Sequence, residues 1–148
     1  MGARFLGFDH IDTRVPSIKA VEPFYDQLMT KLGLTQKRYA HVDPKGDWYD
    51  ASDDKPYNTV EYYREIEGGM IPHFIGFIED GSMKPTMTRI AFRVAAPLDY
   101  PQWEEYLKSI GAHRVERSAS EQYPAVFFED PMGTKLEICA RPRAGTIA

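Results

Sequence analysis

A single cysteine, Cys139, stands in a chain of 148 residues, which excludes an internal disulfide and any metal site of the CxxC type. Lysines and arginines nowhere gather into a block and the formal net charge is −4, so the chain lacks the electrostatic footprint that holds a nucleic-acid backbone or an anionic membrane. No apolar run is long enough for a membrane span or a secretory signal, and a cytoplasmic protein is expected. These exclusions leave a small molecule as the expected partner. The length suits one domain with a full core, expected here over residues 1–148.

What the chain does have is an internal repeat. Phe8 to Leu34 and Arg89 to Ala112 read as two copies of one strand–helix unit. His10-Ile11 opens the first copy and Arg89-Ile90 the second, an offset of 79 positions (89 minus 10), and Phe24 and Trp103 repeat at the same offset. A repeat of about half the chain is a duplicated module rather than a solenoid array.

Period-2 alternation in the first copy puts Ile11, Thr13 and Val15 on one strand face and Phe8, His10, Asp12 and Arg14 on the other. In the second, Ile90, Phe92 and Val94 oppose Arg89, Ala91 and Arg93. Val21, Phe24, Tyr25, Leu28, Met29 and Leu32 follow helical spacing after a Ser17 cap, with Gly33 as the left-handed stop. Pro23 would delete an interior hydrogen bond, so the regular helix is expected to start late, with Pro23 in its first turn. Asp99 caps the second helix, whose stripe is Trp103, Tyr106, Leu107 and Ile110 before Gly111.

Strands are expected at 35–41, 58–64 and 71–78 in the first half and at 113–117, 125–129 and 135–140 in the second. Gly68-Gly69 and Pro131-Met132-Gly133 form the turns before each last strand. Each half is therefore βαβββ, module one at about 5–80 and module two at about 86–142. The polar stretch from Asp43 to Tyr57 reads as a long loop, either a plain surface loop or one in which Trp48 and Tyr49 cover a pocket.

Three stretches carry a family resemblance: Asp9-His10-Ile11, Ala20 through Phe24-Tyr25 to Leu32-Gly33-Leu34, and Asp130-Pro131-Met132-Gly133 leading to Leu136-Glu137-Ile138. In these the chain resembles the vicinal oxygen chelate superfamily, the glyoxalase / bleomycin-resistance / extradiol-dioxygenase group. The resemblance implies an α+β fold in which two βαβββ modules form a curved mixed sheet around a cavity, in a homodimer. It also implies a divalent metal held by the first and last strands of each module. His10 matches the first-strand ligand and Glu137 the last-strand carboxylate. Counting four residues from Gly69, as from Gly133 to Glu137, reaches His73, while a register two residues on reaches Ile75. The remaining position is Arg89, whose guanidinium offers a metal no lone pair.

Two functions follow. In the first, His10, His73 and Glu137 hold Zn, Ni, Mn or Fe in a metal-dependent lyase, isomerase or dioxygenase, with Glu137 also moving protons. In the second, the protein sequesters or senses an anionic or aromatic molecule without metal. Arg14, Arg89 and Arg93 then recognise the anion, or Asp12 and Glu137 neutralise them. Tyr62 or Glu61 is the candidate acid, base or substrate contact on the neighbouring strand, and Tyr62, Tyr63, Phe127 and Phe128 are the candidate aromatic walls. Alternation allows at most about half of such residues to face one side.

Overall fold

The computed structural model describes residues 9–64, 73–86, 88–121 and 123–140. Module one runs β1 (His10–Val15), α1 (Ile18–Lys31), β2 (Gln36–Val42), β3 (Trp48–Asp50), β4 (Thr59–Tyr63) and β5 (Phe74–Glu79). Module two runs β6 (Arg89–Arg93), α2 (Tyr100–Ser109), β7 (His113–Arg117), β8 (Ala125–Glu129) and β9 (Lys135–Cys139). The sheets are ordered β1-β5-β4-β2-β3 and β6-β9-β8-β7. In each, the first strand pairs parallel with the last and the other pairs are antiparallel. The expected mixed α+β architecture is thus present, divided into two hydrogen-bonded sheets, each with its first strand, β1 or β6, at one edge. Phe8 and the Gly68-Gly69 turn lie outside the described residues.

Both helices end alike because the sequence ends them alike. Gly33 and Gly111 adopt φ of +85° and +95°, a conformation that costs glycine no Cβ clash. That conformation lets Leu34 N donate to Met29 O and Ala112 N to Leu107 O, both at 2.9 Å, the six-to-one bond of a Schellman ending. The expected caps also form: Ser17 Oγ accepts from Ala20 N at 3.3 Å and Asp99 Oδ1 from Gln102 N at 3.0 Å. The late start expected for α1 does not occur. Ile18 N donates to Glu79 Oε2 at 2.8 Å, which satisfies another donor of the first turn. Pro23 then sits inside the helix, where it forgoes one backbone bond. The 43–57 stretch also differs from a plain loop, since Trp48–Asp50 pairs with Ala40–Val42 as an edge strand. Trp48 and Tyr49 stay exposed there.

The helix-facing residues of both sheets bury into one cluster. Val15, Val60, Tyr62, Ile75 and Phe77 pack under α1, and it continues through Phe128, Leu136 and Ile138 under α2. Phe24 and Phe128 meet at 6.4 Å between ring centroids, and Tyr106 Oη donates to Gln27 O at 2.7 Å. The deepest link is polar. Tyr25 Oη, on α1, donates at 2.8 Å to Asp130 Oδ2, on the β8–β9 turn. Asp130 Oδ1 accepts from Met132 N and Thr134 N at 2.8 and 2.9 Å. Three donors satisfy a fully buried carboxylate, as burial of a charge requires. Tyr25→Phe should therefore lower unfolding free energy by about 1.5–3 kcal/mol, and Asp130→Ala by more, because it also strands two turn amides. Urea unfolding of both variants checks the order. Equal and negligible losses would refute this account of the link.

Candidate functional site

Burial of Val15, Ile75 and Phe77 on β1 and β5, and of Val60 and Tyr62 on β4, fixes the register of module one, and strands so pinned turn the alternate positions to the opposite, inner face. His10, Asp12 and Arg14 of β1 pair with Phe74, Gly76 and Ile78 of β5, and Gly76 pairs in turn with Glu61 of β4. The His10 ring stacks on Phe74 with centroids 4.5 Å apart and planes 3° from parallel. The Arg38 guanidinium lies 5.0 Å from the same ring while pairing with buried Glu61. His10 Nδ1 bonds Asp9 Oδ1 at 2.6 Å and its Nε2 lies 3.7 Å from Asp12 Oδ2. The Asp9 bond raises the imidazole above its ordinary value of 6.5, and the charges of Asp12 and Glu61 act in the same direction. Gly76 makes this crowding possible, since a Cβ there would overlap Asp12 Oδ1.

Module two inverts that arrangement. Arg89, Ala91 and Arg93 of β6 pair with Lys135, Glu137 and Cys139 of β9, and Glu137 pairs with Phe127 of β8. Here the central carboxylate is on the last strand and the small residue, Ala91, on the first. Glu137 is only 4% exposed and accepts a hydrogen bond from Tyr123 Oη. The Arg89 guanidinium lies 4.6 Å from the Phe127 ring centroid, an arrangement favoured by the ring's negative face. Because β9 separates β6 from β8, that side chain crosses the row holding Glu137.

The cations divide into two groups. Lys37 pairs with Glu22 and Asp26, Arg38 with Glu61, Arg117 with Glu104 and Lys135 with Glu129. Among the described residues, Arg14, Arg89 and Arg93 on the inner strand faces have no carboxylate within 4.0 Å, as is also true of Arg64 and of Lys19, Lys31, Lys45, Lys55, Lys84 and Lys108. Arg14 instead lines a cavity of about 730 Å³ beside Lys45, Ile78 and Asp80 at the end of sheet one. A smaller crevice of about 160 Å³ separates β1 from β6, lined by His10, His73, Ile11, Ile75, Ile90 and Phe92.

Five of the residues singled out in the sequence therefore share the inner faces: His10, Arg14, Arg89, Arg93 and Glu137. Two do not. Tyr62 faces α1, with its hydroxyl donating to Asp26 Oδ1 at 2.9 Å, and burial followed by that bond raises the phenol well above its ordinary value. Glu61, its neighbour, takes the inner face. His73 precedes β5 out of phase with Phe74 and Gly76. Matching His10–Phe74 with Arg89–Lys135 makes Gly76, not His73, the counterpart of Glu137. Sequence reading missed Tyr123 as the partner of Glu137 and Phe74 as the platform for His10. Phe74 was recoverable from alternation within its strand, whereas Tyr123 lies in a turn that no period locates.

The donor set does not fit a chelated metal. The four equivalent strand positions carry His10, Gly76, Arg89 and Glu137, and only two of those side chains have a lone pair to offer. Among the described residues no group of three histidines, cysteines or carboxylates converges, and three or more protein ligands are the usual minimum for a resident ion of this type.

No protein-family model matches the sequence, and no curated protein matches it. Solved structures do match the fold. A glyoxalase/bleomycin resistance protein from Albidiferax ferrireducens T118 is 16% identical with a TM-score of 0.59, over 91% of this chain and 98% of that one. The monoclinic form of the genomically encoded fosfomycin resistance protein FosX from Listeria monocytogenes is 17% identical with a TM-score of 0.62, over 95% and 97%. A variant of that FosX, complexed with Mn(II) and 1S,2S-dihydroxypropylphosphonic acid, gives 17% and 0.57 over 95% and 96%. At such identities the likeness concerns architecture, and chemistry does not follow from architecture. The chain has the fold of the glyoxalase/bleomycin resistance proteins and FosX, that of the vicinal oxygen chelate superfamily.

Proposed function

We propose that this protein binds a small anionic molecule on the inner face of its sheets through guanidinium groups, Arg89 foremost, with no resident metal. The observation that carries this reading is the state of Arg89. Its guanidinium rests on Phe127 beside Glu137 and has no carboxylate partner among the described residues. A guanidinium fork matches a carboxylate or phosphonate in a bidentate manner, and Phe127 positions it without neutralising it. Arg93, two residues along the same strand face, supplies a second charge. The apolar floor offered by Phe127 suits an aromatic or otherwise flat body on that anion. The reading is sequestration or sensing, the second of the two functions drawn from the sequence.

The first function, a metal-dependent lyase, isomerase or dioxygenase, is favoured by one observation, the Mn(II) in the FosX complex. It would require a third ligand besides His10 and Glu137, and the inner face supplies Arg89 and Gly76 in the remaining positions.

Thermal-shift screening of small carboxylates and phosphonates should raise the unfolding midpoint by mass action. For a binder so found, Arg89→Gln should weaken affinity by about 10- to 100-fold, the scale of a charge-assisted hydrogen bond. Retained affinity in that variant would count against the proposal.

Chelator treatment should leave the midpoint and ligand affinity of the wild type unchanged. Near-stoichiometric metal in protein purified without a histidine tag, lost in Glu137→Ala, would overturn the metal-free reading. Arg89→His supplies the missing lone pair and should raise Zn(II) affinity sharply.

The histidine gives a separate check. By NMR, His10 should titrate above 6.5 in the wild type and fall back towards that value in Asp9→Asn. Its raised value favours the folded state at pH below the ordinary value, and that contribution is lost as pH rises through the folded-state value. If added Zn(II) abolished the titration in the wild type, His10 would be a ligand after all.

A further inference from the structure

We infer that the ligand carries a hydrogen-bond donor next to its anionic group, an aromatic hydroxy acid or its amino counterpart, and that Glu137 accepts that hydrogen. The inference rests on the anion-binding reading above and deepens it. Glu137 is 4% exposed, and Tyr123 engages one of its carboxylate oxygens. Its other oxygen has no partner among the described residues. That oxygen is not sealed from solvent, since among the described residues the buried side-chain oxygen left without a partner is Thr134 Oγ1, and the obvious internal donor is turned elsewhere. Arg89 crosses the β9 row to reach Phe127 and forms no ion pair with Glu137. The other cation on this face of β9, Lys135, is held by Glu129 at 3.0 Å. Ala91, the partner of Glu137 on β6, carries only a methyl group and offers it no donor. One patch thus offers a cationic fork, a carboxylate oxygen awaiting a donor and an aromatic floor. A plain anion would meet Arg89 but be repelled by Glu137. An anion with an adjacent hydroxyl or amine meets both groups with the right polarity.

Benzoate, the three monohydroxybenzoates and their methyl ethers are the probes, titrated calorimetrically into wild type, Arg89→Gln and Glu137→Gln. At least one hydroxybenzoate should bind about tenfold tighter than benzoate, the scale of a hydrogen bond to a charged group. Its methyl ether, which keeps the oxygen but has no donor, should lose that advantage, and this comparison holds even if Glu137→Gln fails to fold. In a folded Glu137→Gln the hydroxyl advantage should shrink to less than about threefold while benzoate affinity is kept or improved. Arg89→Gln should weaken all the benzoates alike. If the benzoates bind through Arg89 but no hydroxyl is preferred, or the preference survives in the methyl ether or in Glu137→Gln, the role of Glu137 is refuted and the anion-binding reading stands. If no benzoate binds, or binding is indifferent to Arg89, both are overturned.

Discussion

The hydrogen bond from Tyr25 to Asp130 joins two parts of the chain 105 residues apart in sequence. A buried carboxylate tolerates only an environment full of donors, so this one fixes several things together. Its two amide contacts shape the turn that starts β9, and its phenol contact holds α1 of the other module against that turn. Burial raises the Tyr25 hydroxyl well above its ordinary value, and the adjacent Asp130 charge adds to the effect. The phenol therefore remains a donor wherever the fold exists. The aspartate of the Asp-Pro-Met-Gly stretch thus serves structure, and Glu137, seven residues on, inherits its position from it.

With α1 and α2 anchored, strand alternation does the rest. Apolar positions facing the helices pin each strand's register, and a one-residue slip would bury His10, Asp12 and Arg14 beneath α1. The inner faces are consequently free to carry charge without weakening the core. They use that freedom in opposite ways. Module one surrounds a glycine with Asp12 and Glu61, pairs Glu61 with Arg38 and sets the His10 ring beside Asp12. Module two places its carboxylate at the centre beside an alanine and leaves Arg89 and Arg93 unpaired. A duplicated scaffold has kept its geometry while its two inner faces differ in polarity.

Much of this was legible in the sequence. The 79-residue offset, the caps at Ser17 and Asp99, the glycine endings and the starts of β1 and β6 are local signals, and each appears in the structure. Failures came where a non-local count was needed. The offset between modules is 79 at the first strands but 61 at the last (135 minus 74), because module one carries the longer connection that includes β3. The count from the turn glycine assumed like connections before each last strand, but ten residues separate β4 from β5 and five separate β8 from β9, so it reached His73 where the pairing reaches Gly76. Tyr62 and Glu61 differ by one residue, and only the packing against α1 decides which of them turns inward. The Pro23 expectation failed because the donors of the first turn found partners in Ser17 and Glu79.

An arginine at the first strand of module two changes the kind of recognition that strand can support. A metal ion needs lone pairs, brings its own positive charge and draws oxygens from any direction its geometry leaves open. A guanidinium is permanently charged and directional, and it rejects a group that cannot accept two hydrogens in its plane. Glu137 is useful in both settings but in different ways. Beside a metal it would be one ligand of several, whereas in the proposed site beside Arg89 it would be the acceptor that discriminates among anions. On the proposed anion-binding reading, specificity on this face comes from the pairing of a fixed cation with a fixed acceptor, and an ion that competed for Glu137 would erase it.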